Sequence, residues 1–236
     1  MTRPMRFEGL RKLSPEPAAK ILAGVGAVLE TPVEAPARAL VPEVLAELEA
    51  KGATVDMLRL LAHALPPREA VWWACLSARD LLPADRAAPT PLAAAEAWVL
   101  RPGPETRARA RAALEAAHHL DDTSLCAMAA SMADGTLGPG ELDDYPAPPG
   151  AVAGAAHALA VLSMFRDAER AAAQGAWLVA RALDIARGGG GRAPDPSLDA
   201  GSEAGTDPAP EAAADAGPGA GPGAAVRSAP GTEAAS

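Results

Sequence analysis

Residues 118–122 read His-His-Leu-Asp-Asp, and imidazoles beside carboxylates are the side chains that bind divalent metal ions. Their spacing weakens that reading. On a helix His118 and His119 point about 100° apart, so they cannot converge on one ion. Asp122 is better placed as the N-cap of a following helix, and Asp121 as a turn residue. A small helical metal-binding protein or enzyme using His118, His119, Asp121 and Asp122 is therefore the second reading of this chain.

The leading candidate lies in Leu65-Pro66-Pro67-Arg68-Glu69-Ala70-Val71-Trp72-Trp73-Ala74-Cys75. On a helix Val71, Ala74, Cys75, Ala78 and Leu82 share a face, flanked by Trp72 and Leu76, while Trp73 lies about 100° further round. Two adjacent tryptophans cannot enter one core pocket from one helix. The favoured expectation is that Trp72 fills the core and Trp73 packs under the long loop or a neighbouring helix. The competing one makes Trp73 an anchor for a partner protein, since tryptophan is enriched at interface hot spots. Glu69 suits the positive end of the helix, and Arg68 is expected to pair with an acid elsewhere.

Four arginines, Arg101, Arg107, Arg109 and Arg111, mark a basic helix. The pairs Glu105–Arg109 and Arg111–Glu115 have the four-residue spacing that supports a solvated helix, which is favoured over a docking patch for an acidic partner. There is no Gly-x-Ser-x-Gly elbow and no phosphate loop. Gly24-Val25-Gly26 falls inside a helical pattern with no preceding strand, so it is not a dinucleotide fingerprint. His63 and His157 are single histidines in alanine-rich helices, expected at the edge of the core or within it. Cys75 and Cys126 lack partners at metal-type spacing and read as small buried hydrophobes in a reducing compartment.

The elements that must position these residues read as helices. The pattern predicts them over about 14–29, 35–50, 54–65, 67–82, 91–100, 104–119, 122–133, 150–165 and 167–187, with prolines in several first turns. A glycine- and proline-rich stretch, Gly135 to Gly150, is a long loop of the kind that is often functional or mobile. It carries Asp143, Asp144 and Tyr145. The fold class expected is all-α: a compact bundle or helical-hairpin array of eight or nine short helices, with no fixed repeat. A flexible lead is expected over 1–13, the helical domain over 14–187 and a disordered acidic tail over 188–236. That tail holds half of the chain's 22 glycines and seven acids against two bases.

Composition agrees. Of 236 residues 49% are hydrophobic, much of it alanine, and only 3% are aromatic, which leaves little material for strands. The net charge of −9 argues against a nucleic-acid partner, because that affinity rests on Lys and Arg neutralising phosphates. No apolar run approaches the length of a membrane span and no signal-peptide pattern opens the chain, so the cytoplasm is the expected compartment. No cofactor is implied.

The Pro-Pro-Arg-Glu-Ala-Val-Trp-Trp-Ala stretch resembles the signature of a bacterial family described as a domain of unknown function. The resemblance extends to Ala95-Glu96-Ala97-Trp98-Val99 and to the proline-rich loop before a last helical pair, and it covers roughly residues 40–187. The chain departs from the pattern at Asp143-Asp144-Tyr145 and at Ser131-Met132. The resemblance implies a helical fold, and an association with type VI secretion genes that suits an accessory or adaptor protein. It lends no catalytic residues. Residues 118–122 also superficially resemble the aspartate-rich motif of helical prenyl-diphosphate enzymes, but Leu125 stands where that motif needs a third acid. The function expected is a non-enzymatic adaptor, scaffold or chaperone-like domain that binds another protein through Arg68, Trp72, Trp73, Asp143, Asp144 and Tyr145.

Overall fold

The computed structural model describes residues 6–192. Over that range the chain folds into helices α1 (Ala18–Gly24), α2 (Val41–Ala50), α3 (Thr54–Ala64), α4 (Pro67–Asp80), α5 (Thr90–Leu100), α6 (Pro104–Glu115), α7 (Ser124–Ser131), α8 (Ala151–Phe165) and α9 (Ala171–Arg187). A 3₁₀ turn at Gly140–Asp144 lies between α7 and α8. No strand occurs among the described residues; two isolated bridges, Pro17 with Leu40 and Thr136 with Pro146, are the only extended pairings there. The fold is all-α, as alanine-rich, aromatic-poor composition requires.

Proline sets several helix starts. Pro42, Pro67, Pro91 and Pro104 each occupy the first turn of a helix, where the missing N–H costs nothing. Helix α4 packs along α8 and also meets α5, α7 and α9. Its buried side chains are mostly small: Ala70, Ala74, Cys75, Ser77 and Ala78, and α8 answers with buried Ala155, Ala156 and Ala160. Small side chains let helix axes approach closely, so alanine serves packing as well as propensity. Gly175 does the same in α9. A Cβ there would lie 2.8 Å from Thr54 Cγ2 and 3.0 Å from Met164 Cε.

The sequence pattern overextends several helices. The first, expected over 14–29, spans only Ala18–Gly24, and Gly26 beyond it takes a positive φ of 65°. The following connection is held from below by two carboxylates. Asp56 accepts the N–H groups of Glu30 and Thr31 at 3.1 and 2.7 Å, and Glu47 those of Glu34 and Ala35 at 2.6 and 2.9 Å. Helix α2 therefore starts at Val41, with Glu43 reaching back to the Leu40 N–H at 2.8 Å.

Both expected domain boundaries move outward. The lead is packed from residue 6 onward: Phe7 and Leu13 are buried, the Lys12 N–H bonds Ala186 O at 2.9 Å, and Lys12 pairs with Glu69 at 2.7 Å. At the other end, Gly188 to Gly191 do not belong to a free tail. The Gly191 N–H bonds Asp184 Oδ2 at 2.8 Å, and Gly191 is buried. The disorder expected of the tail from residue 193 onward lies outside the described residues.

Candidate functional site

On the tryptophan helix Trp73 is packed as favoured, but it is Trp73 and not Trp72 that fills the core. Trp73 is the largest fully buried side chain, with no exposed surface, so it is not a free anchor for a partner. Trp72 is the half-buried one, and its Nε1–H donates to Gly190 O at 2.9 Å. Among the described residues Arg68 pairs with no acid; its Nε donates to Val99 O at 2.8 Å, closing the end of α5. Arg68 and Trp72 share a shallow groove of about 200 Å³ with Lys12, Leu100 and Gly189.

The long loop is tied down by Arg107, which the sequence places on a solvated helix but which is buried. Its Nε donates to Ser131 O at 2.8 Å and one terminal nitrogen to Asp143 Oδ1 at 2.6 Å. The guanidinium also contacts Asp134 and the Thr136 hydroxyl. Asp143 is thus a structural partner, and the Arg107 hydrogen bond holds its carboxyl below the usual carboxylate range. Leu137 N–H to Tyr145 O at 2.8 Å and Ala147 N–H to Gly135 O at 2.9 Å zip the loop's two arms together. Beyond this brace Glu141, Asp144 and Tyr145 are exposed, with 58% of the Tyr145 surface open to solvent.

Residues 118–122 do not converge as metal ligands. His118 Nδ1 accepts the Leu120 N–H at 3.2 Å, and the two imidazoles lie against each other with centroids 4.2 Å apart. Asp122 is not the cap: Thr123 stands at the N-cap of α7, and Asp121 is the turn residue expected, its Oδ1 accepting the Thr123 N–H at 3.0 Å and the Thr123 hydroxyl at 2.6 Å. Among the described residues no group of three or more His, Cys, Asp or Glu side chains is placed to hold a metal ion. His63 and His157 sit at the half-buried edge of the core, and burial, aided by the charge of Arg59, lowers the pKa of each. Cys75 and Cys126 are both buried free thiols joined by a hydrogen bond, which together with burial pushes Cys75 up. No helix among the described residues is long and apolar enough to cross a membrane.

A polar site that sequence reasoning missed lies where the end of α4 meets the α8–α9 hairpin. Arg181 is buried and pairs with Asp80 at 2.8 and 3.3 Å, while its guanidinium carbon sits 3.5 Å from the Trp177 ring centroid. The Ser163 hydroxyl stands 3.5 Å from Asp80 Oδ2 and accepts from Gln174 Nε2 at 3.0 Å. Burial drives the Asp80 carboxyl up to about 6 even though Arg181, Ser163 and Arg166 all favour its charged form. A cavity of about 480 Å³ opens beside this network. Its members come from residues 80, 163–174 and 177–181, too far apart in sequence for any spacing to reveal.

Set against known proteins, residues 44–186 match the model of a family of unknown function (DUF6931). The chain belongs to this family. The family segment begins within α2 and ends one residue short of the end of α9, so it takes in the tryptophan helix, the braced loop and the Asp80–Arg181 network. The lead and α1 lie outside it. No curated protein and no solved structure matches the chain.

Proposed function

We propose that this chain is a non-enzymatic protein-interaction domain, an adaptor or scaffold, that offers the tip of the 135–150 loop to a basic surface on another protein. The supporting observation is the contrast between the loop's base and its tip. Buried Arg107 binds Ser131 O, Asp143 and Thr136, while Tyr145 remains 58% exposed next to Asp144. A loop already held in one conformation loses little entropy on docking. Tyrosine is a favoured anchor, and flanking carboxylates add charge selectivity and a faster encounter with a cationic partner. Arg68 and Trp72 contribute a second, shallower surface beside exposed Leu100. An accessory role in type VI secretion is the setting that the family resemblance suggests, and cytoplasmic residence fits two buried thiols held unlinked.

The test is affinity capture with the full chain and with a Tyr145→Ala, Asp144→Lys double variant of equal helicity. One protein retained by the first and lost from the second supports the reading. Identical capture by both overturns the loop as the docking surface.

A further inference from the structure

His63 on α3 and His157 on α8 lie close enough to feel each other's charge. In each ring one nitrogen, Nδ1 of His63 and Nε2 of His157, is buried with no hydrogen-bond partner among the described residues. A neutral imidazole can place its unprotonated nitrogen there. An imidazolium cannot do so cheaply, because both of its nitrogens carry a proton that needs an acceptor.

The start of α8 is what closes over His63. Gly150, the N-cap of α8, has a φ of 75°, and a Cβ there would lie 3.1 Å from His63 Cε1, so backbone covers the ring. A cavity of about 340 Å³ at this seam has apolar walls that include Val25, Met132, Pro149 and Val152, and His63 is its one titratable side chain. The N-terminal end of α8 carries positive partial charge and also disfavours a cation beside it.

The charged groups that bear on the pair are Arg59 and Asp56, both from α3. Arg59 is bonded to Asp56, to exposed Glu30 and to Val28 O, and Asp56 also accepts the N–H groups of Glu30 and Thr31. The buried carboxylate nearby is thus already engaged. Helix α7 and the Pro148–Ala153 segment bring no charged side chain, and Asp80 and Arg181, from α4 and α9, pair with each other near Ser163 at the opposite end of α8. Burial and the charge of Arg59 therefore hold both histidines below their ordinary value, although a backbone hydrogen bond at Val55 and the charge of Asp56 favour the His157 cation.

We propose that His63 and His157 make the start of α8 a proton-operated latch. At neutral pH the uncharged rings let Gly150, and the arm of the long loop that leads into it, close on α3. In acid the rings take up protons where this seam opens, so acid frees the first turn of α8 and the Ala147 end of the loop before it unfolds the domain. The latch does not depend on what the loop tip binds.

Amide hydrogen exchange of the full chain at pH 7.5 and 5.5, corrected for intrinsic rates, tests the proposal. The reporters are the Gly154 N–H, bonded to Gly150 O at 2.7 Å, and the Ala147 N–H, bonded to Gly135 O at 2.9 Å. Their protection should fall by up to ~10-fold per histidine between these pH values, while protection in α4 changes much less. A His63→Phe, His157→Phe double variant, whose rings take no proton, should remove the fall. A His118→Gln, His119→Gln variant, altered only at exposed imidazoles, should keep it. If the Phe variant melts early at pH 7.5, wild type decides: the Cε1–H shifts of His63 and His157 should titrate together with the loss of Gly154 protection. Equal protection of wild type at both pH values, an equal fall in a well-folded Phe variant, or ring titration without loss of Gly154 protection overturns the proposal.

Discussion

Trp72 Nε1 donates to the carbonyl of Gly190, across 118 residues of sequence, and so ties the chain beyond α9 onto α4. Asp184 completes the tie by accepting the Gly191 N–H at 2.8 Å. Trp72→Phe keeps an aromatic side chain but removes the donor and part of the indole, so it should lower the free energy of urea unfolding by at least ~1 kcal/mol. The Gly191 amide should also exchange faster with solvent. An unchanged exchange rate would show that Asp184 alone holds the segment.

Trp73 and Trp72 should respond very differently to truncation. Trp73→Ala opens a cavity in a region with no solvent access and should cost ~3–5 kcal/mol. Trp72→Ala, at a half-buried position, should cost clearly less. Chemical unfolding of both variants measures the order, and a reversed order would contradict the placement of the two rings.

Arg107 is the pin of the long loop. Arg107→Met removes the charge that Asp134 and Asp143 share and leaves Ser131 O without its donor. Loss of one partner from a buried ion pair costs ~3–5 kcal/mol, and the exposure of both carboxylates here puts the expected loss at the low end. Amide exchange at Leu137 and Ala147, which close the loop's arms, should accelerate more than exchange in α8. Uniform acceleration would mean that Arg107 supports the whole domain rather than the loop.

Acid stability should carry opposing contributions. Asp80 is pushed up to about 6 by burial, so between pH 6 and 4 the folded chain holds more protons than the unfolded one; this carboxyl then adds stability as pH falls. Glu47 is lowered to about 2, chiefly by the Lys51 hydrogen bond and the Glu34 N–H. Its contribution is present above pH 4.5 and lost as pH falls toward 2. Asp56 acts in the same sense: burial would raise it, but the N–H groups of Thr31 and Glu30 and the charge of Arg59 outweigh burial. His63 and His157, lowered by burial, subtract stability below pH 6.5, so the Asp80 effect is read as a difference. Wild type should gain on Asp80→Asn as pH falls from 6 to 4, and Glu47→Gln should flatten the fall below 4.5. A difference between wild type and Asp80→Asn that is flat with pH would remove Asp80 from the account.

The helices were legible because their signals are local. Proline in the first turn of α4, α5 and α6 acts within a few residues, and those starts hold, whereas Pro42, interior to the helix expected over 35–50, opens α2 instead. The ends were less legible. Helix α1 stops at Gly24 because Asp56 and Glu47, from α3 and α2, offer the connection that follows it acceptors other than its own carbonyls. Arg107 shows the same limit. Its four-residue spacing from Arg111 matches a solvated helix equally well, and only the chain 24 to 36 residues further on turns that face inward.

The sequence by itself determined that this chain is helical and that its long loop is exceptional, because propensity, proline and glycine act on the local backbone. It also carried enough pattern to mark its family. Tertiary structure alone decided which tryptophan is buried, what pins the loop, and that Asp80, Ser163, Gln174, Trp177 and Arg181 meet. Those outcomes depend on how helices and loop distant in sequence pack together, and an interaction between residues 101 positions apart leaves no periodicity to read.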